Sequence, residues 1–251
     1  MNGENSFAPR LTGKSPVFGV IVNFDSMPFI DMVALAGFDF VLLDAEHGPI
    51  TPASAQGMIR SAKAMGLAAY VRTPGCDGYE IQRYLDIGAD GIQTPQVETA
   101  MEAKALVDHV YYPPKGTRGL SMATTAGAFG VVRSAADHIA LVNRALSTFA
   151  TVESAVAAEN IDAILAVPGL TGVSIGTGDM ALSMGVPGQR SAPVVQDAVR
   201  RIVLACKGAN KQVMLPATDS AGAITALQLG VTGIQFPASS IVIDRGRQIL
   251  A

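Results

Sequence analysis

Three ionisable residues crowd four positions of this sequence. Asp44, Glu46 and His47 stand directly after the apolar run Phe38-Asp-Phe-Val-Leu-Leu43. That run is short enough for a strand buried on both faces, as in a parallel sheet. Gly48-Pro49 breaks it, and Thr51-Pro52 reads as the N-cap and first turn of a helix. The trio therefore falls at a strand's C-terminal end, the edge of a parallel α/β sheet where ligands collect. A polar strand-to-helix turn is the bland alternative, but titratable groups clustered after a core strand point to a site. His47 is the natural acid/base, because an imidazole titrates near working pH. Asp44 or Asp86 could orient it, as a carboxylate does for a catalytic histidine.

Three more candidates end apolar runs. Arg72 closes Leu67-Ala-Ala-Tyr-Val-Arg72, where its fixed fork suits an oxyanion or, more blandly, a salt bridge. Glu153 closes Thr148-Phe-Ala-Thr-Val-Glu153, and Asp179 follows Gly172-Val-Ser-Ile-Gly176. Neighbouring strands lie about 4.8 Å apart, so these two carboxylates can reach one cation. Two carboxylates with open positions suit a hard divalent ion such as Mg²⁺ or Mn²⁺, completed by substrate oxygens and water. The alternative has Glu153 pairing with a base and Asp179 capping a helix. Backbone N–H groups of the turn Gly176-Thr-Gly-Asp179 can hold a carboxylate or phosphate. Lys14, Lys63, Lys104, Lys115, Lys207 and Lys211 all lie away from core strand ends in this reading. A Schiff-base lysine is therefore not expected, and carbonyl activation falls to the metal. His109 and His138 sit on helical segments and read as surface or packing residues.

Eight short apolar runs must position these groups. Strands are expected at 17–22, 38–43, 67–72, 91–94, 148–153, 172–176, 212–216 and 233–236. Helices are expected between them, at Met27–Ala36, Pro52–Met65, Tyr79–Ile87, Val97–Val110, Arg133–Ser147, Ser154–Ala166, a short segment after Asp179, Val194–Gly208, Asp219–Gly230 and the C-terminal stretch. The alternation implies βαβ units and a closed (β/α)₈ TIM barrel as one domain over 16–251, after an N-terminal arm at 1–15. A doubly wound sheet is weakened by the lack of G-x-G-x-x-G after the first strand. In a barrel all the strand ends converge on one mouth.

The 251 residues, 49% hydrophobic, can bury a full core, and the net charge of -3 argues against nucleic-acid or membrane-surface partners. Aromatics at 6% leave little for base stacking. The two cysteines, Cys76 and Cys206, show no metal or redox spacing, so a reducing, cytoplasmic compartment is expected. The first fifteen residues lack an apolar signal region, and no run reaches transmembrane length.

The segments Leu43-Asp-Ala-Glu-His-Gly-Pro49, Leu85-Asp-Ile-Gly-Ala89, Tyr112-Pro-Pro-Lys-Gly-Thr-Arg-Gly119, Val152-Glu-Ser154 and Ile175-Gly-Thr-Gly-Asp-Met-Ala181 occur in this order. Together they resemble the metal-dependent pyruvate aldolases of the 4-hydroxy-2-oxoheptanedioate aldolase family, also called HpcH/HpaI. The resemblance implies a barrel assembled as a homohexamer, a trimer of dimers, with the last helix exchanged between neighbours. It implies a divalent metal (Mg²⁺, Mn²⁺ or Co²⁺) on Glu153 and Asp179, chelated by pyruvate. The backbone of Gly178 and Asp179 would grip the pyruvate carboxylate, and Arg72 would stabilise the enolate. His47 would be the base, made more basic by Asp86, with Asp44 nearby. Two departures line the donor site: Thr151 replaces the family's glutamine two residues before the metal glutamate, and Thr177-Gly178 replaces its Pro-Ala. They leave room for a substituted donor such as hydroxypyruvate.

The expected activity is class II aldol chemistry: retro-aldol cleavage of a 4-hydroxy-2-oxoacid to pyruvate and an aldehyde through a metal-bound enolate, with oxaloacetate decarboxylation as a side reaction. The rivals are a related metal-enolate lyase or cyclising enzyme on the same barrel, and a non-catalytic 2-oxoacid-binding protein.

Overall fold

Short apolar runs separated by amphipathic segments close, in the computed structural model, into a ring of eight parallel strands wrapped by helices. The structure describes residues 16–251, so the expected arm at 1–15 lies outside the described residues. The strands are β1 (Val17–Val22), β2 (Phe40–Asp44), β3 (Ala68–Arg72), β4 (Gly91–Thr94), β5 (Ser147–Val152), β6 (Gly172–Ile175), β7 (Gln212–Pro216) and β8 (Gly233–Pro237). The helices are α1 (Met27–Leu35), α2 (Pro52–Ala64), α3 (Gly78–Asp86), α4 (Ala100–Val110), α5 (Ala135–Ala145), α6 (Ala155–Glu159), α7 (Ile161–Leu165), α8 (Thr177–Ser183), α9 (Pro193–Gly208), α10 (Ser220–Leu229) and α11 (Ala238–Leu250). Strands pair in chain order, and β1 pairs with β8 to close the ring, as the TIM-barrel expectation requires.

Side chains alternate faces along a strand, so each strand feeds two cores. Outward residues such as Val41, Leu43, Val71, Ile92 and Val173 meet the helices. Inward residues Val17, Phe40, Leu42, Ala68, Tyr70, Phe149 and Met214 fill the barrel. Phe40, Tyr70 and Phe149 stack edge-to-face, with centroids 5.8 Å apart in each pair. Glycine makes room for them. A Cβ on Gly19 would fall 2.3 Å from the Phe40 ring, and one on Gly233 would fall 2.1 Å from Met214 Sδ. The same alternation carries Asp44, Arg72 and Glu153 to the inner surface at the ring's C-terminal rim.

Several helices differ from their expected bounds for local reasons. The helix expected from Val97 starts at Ala100, because Thr99 and Glu102 form a reciprocal capping box. The segment expected as one helix over 154–166 is two, α6 and α7, which meet at Asn160; its Nδ2 donates to the Glu98 carbonyl at 2.9 Å. The helix expected over 133–147 is α5, because Ser134 caps its start and Ser147 already belongs to β5. The helix expected after Asp179 begins at Thr177, so Asp179 lies in the first turn of α8. The C-terminal α11 packs beside β8 and β1 of its own chain and leaves Val242, Ile243, Ile249 and Leu250 exposed. Among the described residues no helix is long and apolar enough to cross a membrane.

Candidate active site

Register places Asp44, the last residue of β2, opposite Arg72, the last residue of β3. Arg72 Nε donates to Asp44 Oδ1 at 2.9 Å and Nη2 donates to Oδ2 at 2.7 Å, a two-pronged pair almost closed to solvent. Asp44 Oδ1 also accepts the backbone N–H groups of Glu46 and His47 at 3.2 and 3.3 Å. One carboxylate therefore fixes the guanidinium and folds the turn that carries the next two ionisable groups. Burial works to lower the Arg72 pKa. The hydrogen bond and charge of Asp44, with Glu46 and Glu153 behind it, outweigh that and hold it above the ordinary value.

Glu46 Oε2 lies 3.2 Å from Arg72 Nε and 3.7 Å from His47 Nε2. It is buried, yet it receives no hydrogen bond from these neighbours, because the Arg72 N–H is aimed at Asp44. Burial pushes the Glu46 pKa up; Arg72 and His47 oppose, while Asp44 and Asp179 add to the rise. The imidazole of His47 is 61% exposed at the mouth.

Glu153 follows β5 directly and is 8% exposed. Its Oε1 accepts the backbone N–H of Gln96 at 2.7 Å. Gln96 holds φ at +53°, a strained conformation for a non-glycine residue, and this aims the N–H at the carboxylate. Burial raises the Glu153 pKa, the Gln96 bond offsets part of that, Glu46 and Asp179 raise it again, and Arg72 lowers it. Gly176 is required beside it: a Cβ there would lie 2.5 Å from Glu153 Oε2. Asp179 is exposed on α8 and acts electrostatically on both Glu46 and Glu153.

This arrangement fits a divalent cation. Acidic groups gather at one opening, one buried oxygen of Glu46 lacks a donor, and burial first, then neighbouring carboxylates, raise the Glu46 and Glu153 pKa values, a cost that a cation would relieve. The donors are hard oxygens, as Mg²⁺ or Mn²⁺ prefers. Among the described residues no group of three or more His, Cys, Asp or Glu side chains forms a cage, so an ion here would rest on few protein ligands.

The remaining expected residues fall as follows. Thr151 is 2% exposed, one inward step below Glu153, and its Oγ1 accepts Gln93 Nε2 at 3.3 Å. Gly178 lies under the Arg190 guanidinium; a Cβ there would be 3.4 Å from Nη2. Asp86 does not meet His47. Its Oδ1 accepts Arg118 Nη2 at 2.6 Å, and the Arg118 side chain is only 1% exposed, with its guanidinium 4.7 Å from the Tyr112 ring centre. The Tyr112 hydroxyl in turn meets Nε2 of the buried His138 at 3.3 Å. Sequence reasoning gave Arg118, Glu46 and Gln93 no role. Their signals were a charged residue inside Tyr112-Pro-Pro-Lys-Gly-Thr-Arg-Gly119, a carboxylate beside His47, and an amide within the buried run Gly91-Ile-Gln-Thr94. Lys115 carries a pKa pushed down to about 8 by burial and by Lys211. It sits over the Tyr111 ring and donates to the Asn143 carbonyl, beside Gly169 at the opposite end of the barrel from the mouth.

A family model described as HpcH/HpaI aldolase/citrate lyase matches residues 18–238. A protein of Salmonella arizonae named 5-keto-4-deoxy-D-glucarate aldolase is 32% identical over 98% of this chain and 95% of its own. A Deinococcus radiodurans protein named hydroxypyruvate/pyruvate aldolase is 32% identical over 99% of this chain and 89% of its own. Among solved structures, an HpcH/HpaI aldolase/citrate lyase family protein from Burkholderia cenocepacia superposes with a TM-score of 0.92 at 30% identity, covering 98% of both chains.

Proposed function

The chain belongs to the HpcH/HpaI aldolase/citrate lyase family, and on that premise we propose that it is a metal-dependent (class II) pyruvate aldolase. Aldolase relatives at 32% identity over nearly its whole length make it a carbon–carbon lyase. Its reaction in this reading is the reversible cleavage of a 4-hydroxy-2-oxoacid to an aldehyde plus pyruvate, or a substituted pyruvate such as hydroxypyruvate.

Glu153 and Asp179 would hold a divalent ion (Mg²⁺, Mn²⁺ or Co²⁺), which when bound supplies Lewis acidity toward the keto and carboxylate oxygens of a 2-oxoacid. His47, exposed at the mouth, takes the proton from the 4-hydroxyl as the C3–C4 bond breaks. Glu46 Oε2 stands 3.7 Å from the ring Nε2. Negative charge then develops on the enolate oxygen of the departing donor. Arg72 faces it with a fork already locked by Asp44, so stabilising that charge needs no reorganisation. The backbone at Gly178 and Asp179 grips the donor carboxylate, and Thr151 touches the donor from below. The reading includes a cytoplasmic homohexamer with α11 exchanged between neighbours. The apolar residues exposed on α11 support such an assembly.

The observation that carries the proposal is the locked Arg72–Asp44 fork facing the same opening as the buried, charge-strained Glu153. The test is chelation. Cleavage of 4-hydroxy-2-oxoacids should vanish in excess EDTA and return with Mn²⁺, Mg²⁺ or Co²⁺; full activity in the chelator ends the metal reading. Proton exchange at C3 of pyruvate in D₂O separates a catalyst from a binding protein, which shows none.

A further inference from the structure

Going round the ring from Arg72 to Glu153, the wall between them is built by β4 and β5. Arg72 is in register with Gln93, and Gln93 with Phe149 one inward step below Thr151. Gln93 and Thr151 are therefore the inward side chains between the guanidinium and the carboxylate. Both are almost completely buried, at 3% and 2% exposure.

Their hydrogen bonds form a directed chain. Ser174 Oγ donates to Gln235 Oε1 at 3.0 Å, Gln235 Nε2 donates to Gln93 Oε1 at 3.1 Å, and Gln93 Nε2 donates to Thr151 Oγ1 at 3.3 Å. A carboxamide carries two N–H protons and a hydroxyl one O–H. Counting them leaves a second Nε2–H on each of Gln93 and Gln235 and the hydroxyl proton of Thr151 without an acceptor among the described residues, and of these Gln93 and Thr151 stand on the wall between Arg72 and Glu153. Below them Phe40, Tyr70, Phe149 and Met214 fill the barrel and leave no room for a water molecule. An acceptor for these protons has to enter from the mouth. Buried donors left unpaired are costly, and the chain behind them polarises them toward such an acceptor.

We propose that Gln93, with Thr151, is the specificity-determining element of the donor pocket, and that it selects 2-oxoacids bearing a hydroxyl on C3 over those bearing an alkyl group there. The inference rests on the aldolase reading above and names the donor class for that site. A C3 hydroxyl gives the spare protons an oxygen to bond, whereas a C3 methyl of the same size leaves them unpaired, the situation in which polar pockets discriminate most strongly. The carboxamide that the resembled family carries at the position of Thr151 is supplied here from the neighbouring strand β4.

The test uses the half-reaction, which needs no aldehyde. Exchange at C3 of hydroxypyruvate and of 2-oxobutyrate is followed by NMR in D₂O with Mn²⁺-loaded protein, background exchange subtracted, for the wild type, Gln93→Met and Thr151→Val. Dissociation constants for both acids are measured in parallel by calorimetry. The wild-type preference for hydroxypyruvate, as a ratio of rates and of affinities, should fall about tenfold in each variant, the scale of one hydrogen bond lost from a buried site. Thermal denaturation checks that each variant folds, and Thr151→Val, which changes one atom, carries the test if Gln93→Met does not. Ratios unchanged within twofold in the folded variants overturn the inference while leaving the aldolase reading intact. No exchange of either acid, or of pyruvate, by the wild-type protein overturns the aldolase reading and the inference with it.

Discussion

Replacing Glu153 with glutamine should stabilise the cation-free protein at pH 8 while destroying its response to cations. The carboxylate is 8% exposed, and only its Oε1 receives a hydrogen bond, from Gln96 at 2.7 Å. Burial first, and then Glu46 and Asp179, raise its folded pKa above the ordinary 4.5. A carboxyl group with a raised folded pKa adds its full stability below the unfolded pKa and loses it as pH climbs through the folded value. At pH 8 the wild type therefore bears the whole cost of a buried, repelled charge. Glutamine keeps the shape and the Gln96 bond but has no charge to bury. An under-solvated buried group costs about 1–3 kcal/mol, and the offsets from Gln96 and Arg72 place this one near 1 kcal/mol. For a chain of this size that is roughly a 2–4 °C rise in Tm. The rise should shrink toward zero as pH falls below about 4.5, where the carboxyl is protonated in the folded and the unfolded chain alike. Cation reverses the order: at 100 times its Kd a ligand stabilises by about 2.7 kcal/mol, a gain that Glu153→Gln, with one cation ligand removed, forgoes. Calorimetric melts of both proteins at pH 5 and pH 8, in EDTA and in MnCl₂, read all of this. A variant less stable than wild type at pH 8 in EDTA, or one stabilised by Mn²⁺ as much as wild type, would refute the reasoning.

Three further outcomes are expected. His47→Ala should lower the cleavage rate by about 10²–10⁴-fold with stability changed by less than about 0.5 kcal/mol, because the ring is 61% exposed; kcat against a melting curve checks both halves. Gly176→Ala should weaken Mn²⁺ binding by at least roughly tenfold in a calorimetric titration, since the new Cβ would sit 2.5 Å from Glu153 Oε2 and force that carboxylate aside. Arg118→Met should cost about 3 kcal/mol in denaturant unfolding, because it strips Asp86 of a partner at 2.6 Å whose side chain is 1% exposed; an unchanged midpoint would show the pair to be energetically idle.

Much of this site was readable before any coordinates, and particular residues show why. Asp44, Arg72 and Glu153 each end or directly follow an apolar run, and the eight-fold alternation announces a barrel whose strand ends share a mouth. Glu46 and Gln93 were visible but mute. Their standing depends on geometry: Glu46 Oε2 lacks a hydrogen bond because the Arg72 N–H turns to Asp44, and Gln93 matters because register sets it between Arg72 and Thr151. Asp86 shows the opposite case. Resemblance linked it to His47, while the fold ties it to Arg118, 32 residues away.

The amino-acid order alone determined what is local: strand lengths, caps such as Thr99 with Glu102, the alternation that turns every second side chain inward, and the acidic character of the strand ends. Closure of the ring decided the rest. Pairing β1 with β8 and fixing each strand's register brings Gln235 within 3.1 Å of Gln93, 142 positions earlier, and sets Arg72 against Asp44 across 28. Such contacts are absent from any local pattern, because their energy exists only once the whole barrel excludes water and lowers the dielectric around the charges it gathers.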